Sequence, residues 1–262
     1  MFALAGPFAG LSLAPVIGHR GAAARAPENT LAGLRRARAL GCEWVEFDVR
    51  LTGDGALVLC HDARLDRTTD GSGLISAMTL AAIRDRDAGI RFGAEFAGER
   101  VPTLGEALDL AADIGLSANI EIKAERGRDY ATAAAVAGAL RERRGNEPAV
   151  LVSSFLPAAV AAMRALAPQV PRALLFRAVP RGWAGAAQRL GCTMIGADQR
   201  RLAPHRVAAV RAAGLALAAF TVNDPARART LFEWGVTSVF SDAPDIMRVL
   251  SAGRRGRQGA YR

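Results

Sequence analysis

The chain has 262 residues, a length at which an α/β barrel commonly forms one domain and a full hydrophobic core can be buried. Apolar residues make up 51% and charged residues 23%, with 27 Gly and 12 Pro, which excludes collagen-like, coiled-coil and wholly disordered chains. The formal net charge is +9, but Lys123 is the only lysine and the arginines are scattered without an aromatic-interleaved basic run, so a solvated basic surface is expected rather than a nucleic-acid footprint.

Short β-rich apolar runs alternate with Ala/Arg/Leu stretches of helical length, the pattern of βα units around a parallel sheet. Strands are predicted at Val16–His19, Trp44–Asp48, Ala118–Ile122 and Val150–Ser153, then at Ala173–Phe176, Thr193–Gly196, Leu215–Phe220 and Val236–Phe240. Helices are predicted after them at Thr30–Leu40, Leu104–Ile114, Tyr130–Arg143, Pro157–Leu166, Trp183–Leu190, His205–Ala213, Ala226–Trp234 and, closing the set, Ile246–Leu250. Eight strand-then-helix repeats predict a closed (β/α)8 TIM barrel.

One stretch breaks the rhythm. Gly53-Asp54-Gly55 is a hairpin turn between two strand-like runs, and a hairpin cannot supply a parallel barrel strand, which needs a crossover of about a dozen residues. Residues 57–101 are therefore expected as a small insertion after the second barrel strand, with a short helix near Leu80–Asp85 and a place over the barrel mouth. The expected organisation is one barrel domain over residues 1–252 and a basic flexible tail over 253–262.

Cys42, Cys60 and Cys192 are odd in number and show no zinc spacing, so neither a disulfide framework nor a structural zinc site is expected. The first fifteen residues are apolar but lack a positively charged start, and no apolar run reaches the ~18 residues of a membrane span. A cytoplasmic protein without stable membrane insertion is the expectation.

In a (β/α)8 barrel the active site lies where the strands end and the βα loops begin. His19, Arg20, Glu46, Asp48, Glu121, Lys123, Asp198, Asn223 and Asp242 all fall there. Residues two apart on a strand share a face, so Glu46 pairs with Asp48 and Glu121 with Lys123. Three carboxylates converging in an apolar barrel must be paired or bound to a metal. Carboxylates without cysteine suit a hard cation, Mg2+ or Ca2+, whereas an ion-pair network with no metal is the alternative. Two of the three histidines, His19 and His61, can reach the same rim, and such a pair provides the acid and base that phosphodiester cleavage needs. Arg20 and Lys123 would complete an anion clamp.

These residues belong to a longer ordered set. His19-Arg20-Gly21, Pro27-Glu28-Asn29-Thr30, Glu46-Phe47-Asp48-Val49, His61-Asp62, Leu65-Asp66-Arg67-Thr68-Thr69, Val101-Pro102-Thr103-Leu104, Ile120-Glu121-Ile122-Lys123, Thr221-Val222-Asn223 and Ser241-Asp242-Ala243-Pro244 together resemble the glycerophosphodiester phosphodiesterase family, from Val16 to Leu250. The resemblance implies a TIM barrel with an insertion after the second strand. It also implies hydrolysis of small-molecule glycerophosphodiesters to glycerol 3-phosphate and an alcohol. Carried over by position, Glu46, Asp48 and Glu121 would hold the metal, His19 would be the general base and His61 the general acid. Arg20 and Lys123 would contact phosphate, and Glu28 would orient the site. Two positions depart from the family pattern: Phe220 stands where Trp is frequent and Ser241 where Thr is frequent, so Phe220 would pack against glycerol without an indole donor.

Two other functions compete. A lysophospholipase D on the same fold would need an acyl groove, for which Phe92, Phe96 and Trp183 are the available aromatics. A non-catalytic module for anionic ligands would bind in a salt-dependent way and would not need His19 or His61.

Overall fold

The computed structural model describes residues 2–3, 12–143 and 148–247. Its strands are β1 (Phe2–Ala3), β2 (Ser12–Leu13), β3 (Val16–Gly18), β4 (Trp44–Leu51), β5 (Leu57–Leu59), β6 (Ser117–Ile122), β7 (Val150–Ser154), β8 (Arg172–Phe176), β9 (Met194–Asp198), β10 (Ala216–Phe220) and β11 (Ser238–Ser241). Its α-helices are α1 (Leu31–Ala39), α2 (Leu80–Arg84), α3 (Leu104–Asp113), α4 (Asp129–Glu142), α5 (Pro157–Leu166), α6 (Trp183–Leu190), α7 (Pro204–Ala212) and α8 (Pro225–Trp234).

Strands β3, β4, β6, β7, β8, β9, β10 and β11 pair in parallel around a ring, which closes where Gly18 of β3 sits beside Val45 of β4 and Ser241 of β11 beside Gly18. This is the expected (β/α)8 TIM barrel. Local chemistry sets the helix ends. Thr30 caps α1 by accepting from Gly33 N–H, and Thr103 and Glu106 form a reciprocal capping box on α3. Proline opens α5, α7 and α8, and left-handed Gly191 and Gly235 terminate α6 and α8. The predicted closing helix starts in a turn at 246–247, and the rest of it, like the tail 253–262, lies outside the described residues.

Apolar residues fill the space between strands and helices in two large clusters. One is centred on Phe47, Ile120 and Leu108, and the other on Ile195, Leu217 and Leu231. A third cluster, with Ile17, Trp44, Leu151, Met194 and Phe240, packs inside the barrel. Leu13 joins it, and Trp44 Nε1 donates to Ser12 O at 3.0 Å, so the segment before β3 plugs the barrel floor.

The end of β4 serves two partners: Val49 still pairs with Ile122 of β6 on one side. Val49, Arg50 and Leu51 pair antiparallel with β5, so the hairpin hangs from the barrel as a flap with its own small core of Val58, Cys60, Leu65, Ile75, Ile83 and Val101. The segment reaches the barrel mouth through His61, which lines the central cleft, and through Arg67, which donates to Glu28. Of residues 57–101 only His61 lines the central cleft. Cys60 N–H to Asp48 O and Leu59 N–H to Pro102 O tie β5 and its continuation to the barrel.

Candidate active site

The β3–α1 loop carries His19, Arg20 and Gly21 in a tight bend. Gly21 has φ +88°, and a Cβ there would lie 2.6 Å from the Gly33 carbonyl carbon, so a side chain has no room. Arg20 itself is left-handed (φ 51°), which points its N–H at Glu46 Oε2, 3.0 Å away. Asn29, also left-handed, holds Asp48 from both sides: its Nδ2 donates to Asp48 Oδ2 (2.9 Å), and its Oδ1 accepts from Asp48 N–H (3.0 Å). The loop thus fixes the two β4 carboxylates in place.

Parallel register brings in the third. Asp48 lies directly beside Glu121 on β6, and one oxygen from each of Glu46, Asp48 and Glu121 falls within 4.8 Å of the others. All three residues are buried. Glu46 Oε1 has no hydrogen-bond partner, whereas Asp48 Oδ1 and Glu121 Oε1 have only the Lys123 ammonium beside them, at 3.3 and 2.5 Å. Arg20 Nε lies 3.3 Å from Asp48 Oδ2. Burial, with Asp48 and Glu121 beside it, raises the Glu46 carboxyl well above its ordinary value. Burial and Asp48 likewise push Glu121 up to about 7. For Asp48 burial acts in the same sense, but Lys123 and Arg20 outweigh it and hold its pKa low. In the metal-free protein the excess negative charge thus favours the protonated forms of Glu46 and Glu121. The unpartnered oxygens and the hard donor set fit a divalent cation, which would take the place of those protons.

Each histidine is anchored by a carboxylate. His19 Nδ1 is 2.6 Å from Asp242 Oδ1, and Asp242 Oδ2 accepts from Asn223 Nδ2 at 2.7 Å. His61 Nδ1 is 2.6 Å from Asp62 Oδ1. With an aspartate on each Nδ1, Nε2 is the nitrogen left for chemistry on both rings. His19 Nε2 lies 3.8 Å from Glu46 Oε2, directly at the carboxylate cluster. Burial lowers the His61 pKa despite Asp48 and Asp62 nearby. Arg67 holds Asp62 down at about 2.

His19, Arg20, Glu46, His61, Glu121, Lys123 and Phe220 line one cleft of about 510 Å3 at the C-terminal ends of the strands. Asp48 lies just beneath it, contacting Arg20 and Lys123. Glu28 stands behind Arg20, accepting from its Nη1 at 2.9 Å. The opposite wall is aromatic: Phe220 meets Phe155 edge to face at 5.5 Å and stacks on Phe240 at 6.5 Å. The acyl groove considered above is not built from the expected residues. Trp183 is 5% exposed in the helix layer, and Phe92 and Phe96 pack on each other away from the cleft.

Roles for Asp242, Asn29, Asp62 and Arg67 were not read from the sequence. Each lies in a quoted motif, so the signal was present, but only the folded chain shows which group each side chain touches.

A parallel eight-stranded barrel whose mouth combines two anchored histidines, a three-carboxylate cluster and paired cations defines an acid/base site whose carboxylates could hold a metal ion. Residues 19–246 match the glycerophosphoryl diester phosphodiesterase family, and the chain belongs to that family. It is 34% identical over 233 residues to a glycerophosphodiester phosphodiesterase of Caldanaerobacter subterraneus subsp. tengcongensis, spanning 88% of this chain and 95% of that one. It is 31% identical over 255 residues to one of Bacillus subtilis, spanning 90% and 86%. The structure also resembles that of an Oleispira antarctica phosphodiesterase in complex with the product sn-glycerol-3-phosphate, with a TM-score of 0.88 and 38% identity over 90% of this chain and 96% of that one.

Proposed function

We propose that the protein hydrolyses glycerophosphodiesters to glycerol 3-phosphate and an alcohol. The observation that carries this reading is the pair of histidines, each tied through Nδ1 to an aspartate and both lining the cleft above the Glu46, Asp48 and Glu121 carboxylates. Glu46, Asp48 and Glu121 would hold Mg2+ or Ca2+. When bound, such a cation neutralises charge building on the phosphoryl oxygens.

The chain's own groups supply the rest. Arg20 and Lys123, pre-oriented by carboxylates, grip the remaining phosphoryl oxygens. Phe220 covers the apolar edge of glycerol. His19 Nε2 takes the proton of the attacking oxygen, which is water or the glycerol 2-hydroxyl, the cyclic phosphate formed in the second case then being opened by water, and Asp242 stabilises the imidazolium that results. His61 Nε2 donates a proton to the departing alkoxide. Burial disfavours imidazolium at His61 in the free protein, and the anionic diester arriving beside the ring offsets that cost. Glu28 keeps Arg20 aimed.

The same function assigns residues 1–252 to one catalytic unit, with 253–262 as a basic appendage and no need of nucleic acid. Three free, buried cysteines support a reducing, cytoplasmic setting. Among the described residues no helix is long and apolar enough to cross a membrane.

The test is release of glycerol 3-phosphate from glycerophosphocholine by the purified protein, with EDTA and after adding back Mg2+ or Ca2+ separately. Loss on chelation and recovery with one of the ions is expected. No product under any of these conditions refutes the proposal.

A further inference from the structure

Near the mouth, Arg67 of the flap reaches the β3–α1 loop of the barrel. Arg67 leaves a pinned turn of the flap, in which Thr69 N–H and Oγ1 both donate to Leu65 O (3.1 and 3.0 Å) and Leu65 is fully buried. All three guanidinium nitrogens are engaged. Nη1 and Nη2 donate to Glu28 Oε2 and Oε1, both at 2.7 Å, and Nε donates to Asp62 Oδ2 at 2.6 Å. Beyond Asp62 stands His61, and beyond Glu28 stands Arg20, which in turn faces Asp48. One planar fork therefore joins the carboxylate that orients a histidine on the flap to the carboxylate that orients an arginine on the barrel. A lysine, with a single nitrogen, cannot span both in this geometry.

We propose that Arg67 is a positioning residue that couples leaving-group protonation by His61 to the phosphate grip of Arg20. The inference rests on the phosphodiesterase function proposed above. Arg67 touches neither reacting atoms nor the carboxylate cluster; it acts through Asp62 and Glu28. The very low pKa of Asp62, caused first by its hydrogen bond from Arg67, agrees with a permanently ionised acceptor for His61 Nδ1–H. The Arg67 side chain is 47% exposed, so removing it opens no cavity in a core.

The experiment compares wild type with Arg67→Ala on two diesters of glycerol 3-phosphate, one releasing choline and one releasing nitrophenol, with thermal melts of both proteins. An activated leaving group needs little protonation. The expected result is a fall in kcat of about a hundredfold on the choline ester, as for a misplaced catalytic group, and a much smaller one on the nitrophenyl ester. KM should rise on both, because Arg20 loses its support, and guanidinium ion added to the buffer should restore part of the choline activity. Nitrogen NMR of labelled histidine should show the His61 Nδ1–H signal altered in the variant. Unchanged kinetics, or equal losses on both esters together with a lowered melting temperature, would overturn the proposal. If wild type cleaves neither ester, the phosphodiesterase assignment falls. An unchanged His61 signal in Arg67→Ala then overturns the coupling by itself.

Discussion

Replacing Glu121 by glutamine should make the metal-free protein more stable, and only above a defined pH. Glutamine copies the shape of the protonated acid at every pH. Glu121 titrates near 4.5 when the chain is unfolded and at about 7 when it is folded without metal. Between those values the folded state binds the extra proton, so wild-type stability falls as pH rises through this window. A difference of about 2.5 pKa units corresponds to about 3 kcal/mol. For a chain of this size that is roughly 6–12 °C in Tm. Two neighbours titrate nearby. Glu46 is also raised and acts in the same sense, whereas His61, lowered by burial, acts in the opposite one. Both are present in wild type and variant, so the difference between the two pH profiles reports Glu121 together with its coupling to Glu46. The assay is thermal melting in EDTA from pH 4.5 to 7.5. The two proteins should match at the acid end and diverge toward neutrality, with the variant higher. Added Mg2+ or Ca2+ should then raise wild type far more than Glu121→Gln, because a cation that binds only the folded site stabilises it by about 2.7 kcal/mol at a hundred times its Kd. Parallel profiles across the whole range would refute the charge argument and with it the case for cation binding here.

Other expectations follow from the same geometry. His61→Ala should slow release of choline by about 10²–10⁴-fold while sparing a nitrophenyl ester, and equal losses on the two would contradict a general-acid role. Asp242→Asn replaces the charged partner of His19 Nδ1 by a neutral amide that cannot stabilise the imidazolium, and should lower kcat by about 10²-fold or more with Tm nearly unchanged; wild-type turnover would show that the charge at this 2.6 Å contact has no catalytic effect. Gly21→Ala should cost at least about 1–2 kcal/mol from its left-handed backbone alone, with a further cost from the collision with Gly33, readable in a denaturant melt. Leu65→Ala, in the small core of the flap, should cost about 2–5 kcal/mol and speed proteolysis between β5 and α3 before the barrel itself is cut.

The alternation of strand-like and helix-like runs already dictated the barrel, because eight parallel strands with crossover helices have few other ways to bury two faces. Pro157, Pro204 and Pro225 mark helix starts to within a residue, since proline at N1 is a purely local signal. The two-residue spacing of Glu46 and Asp48 was enough to place both on one face, as strand geometry requires. Relations between distant segments stayed out of reach. That Asp48 sits beside Glu121 depends on the register of β4 against β6, and that His19 finds Asp242 requires a contact across 223 positions of sequence. The flap shows the same boundary. Gly53-Asp54-Gly55 announced a hairpin, but how its second strand is tied to the barrel depends on the hydrogen bonds from Leu59 and Cys60 to Pro102 and Asp48. Residue types and local periodicity thus determined the fold class and the chemical inventory of the site. Only ring closure, which fixes strand register and brings βα loops to one rim, decided which carboxylate orients which histidine and which arginine ties the flap to the barrel.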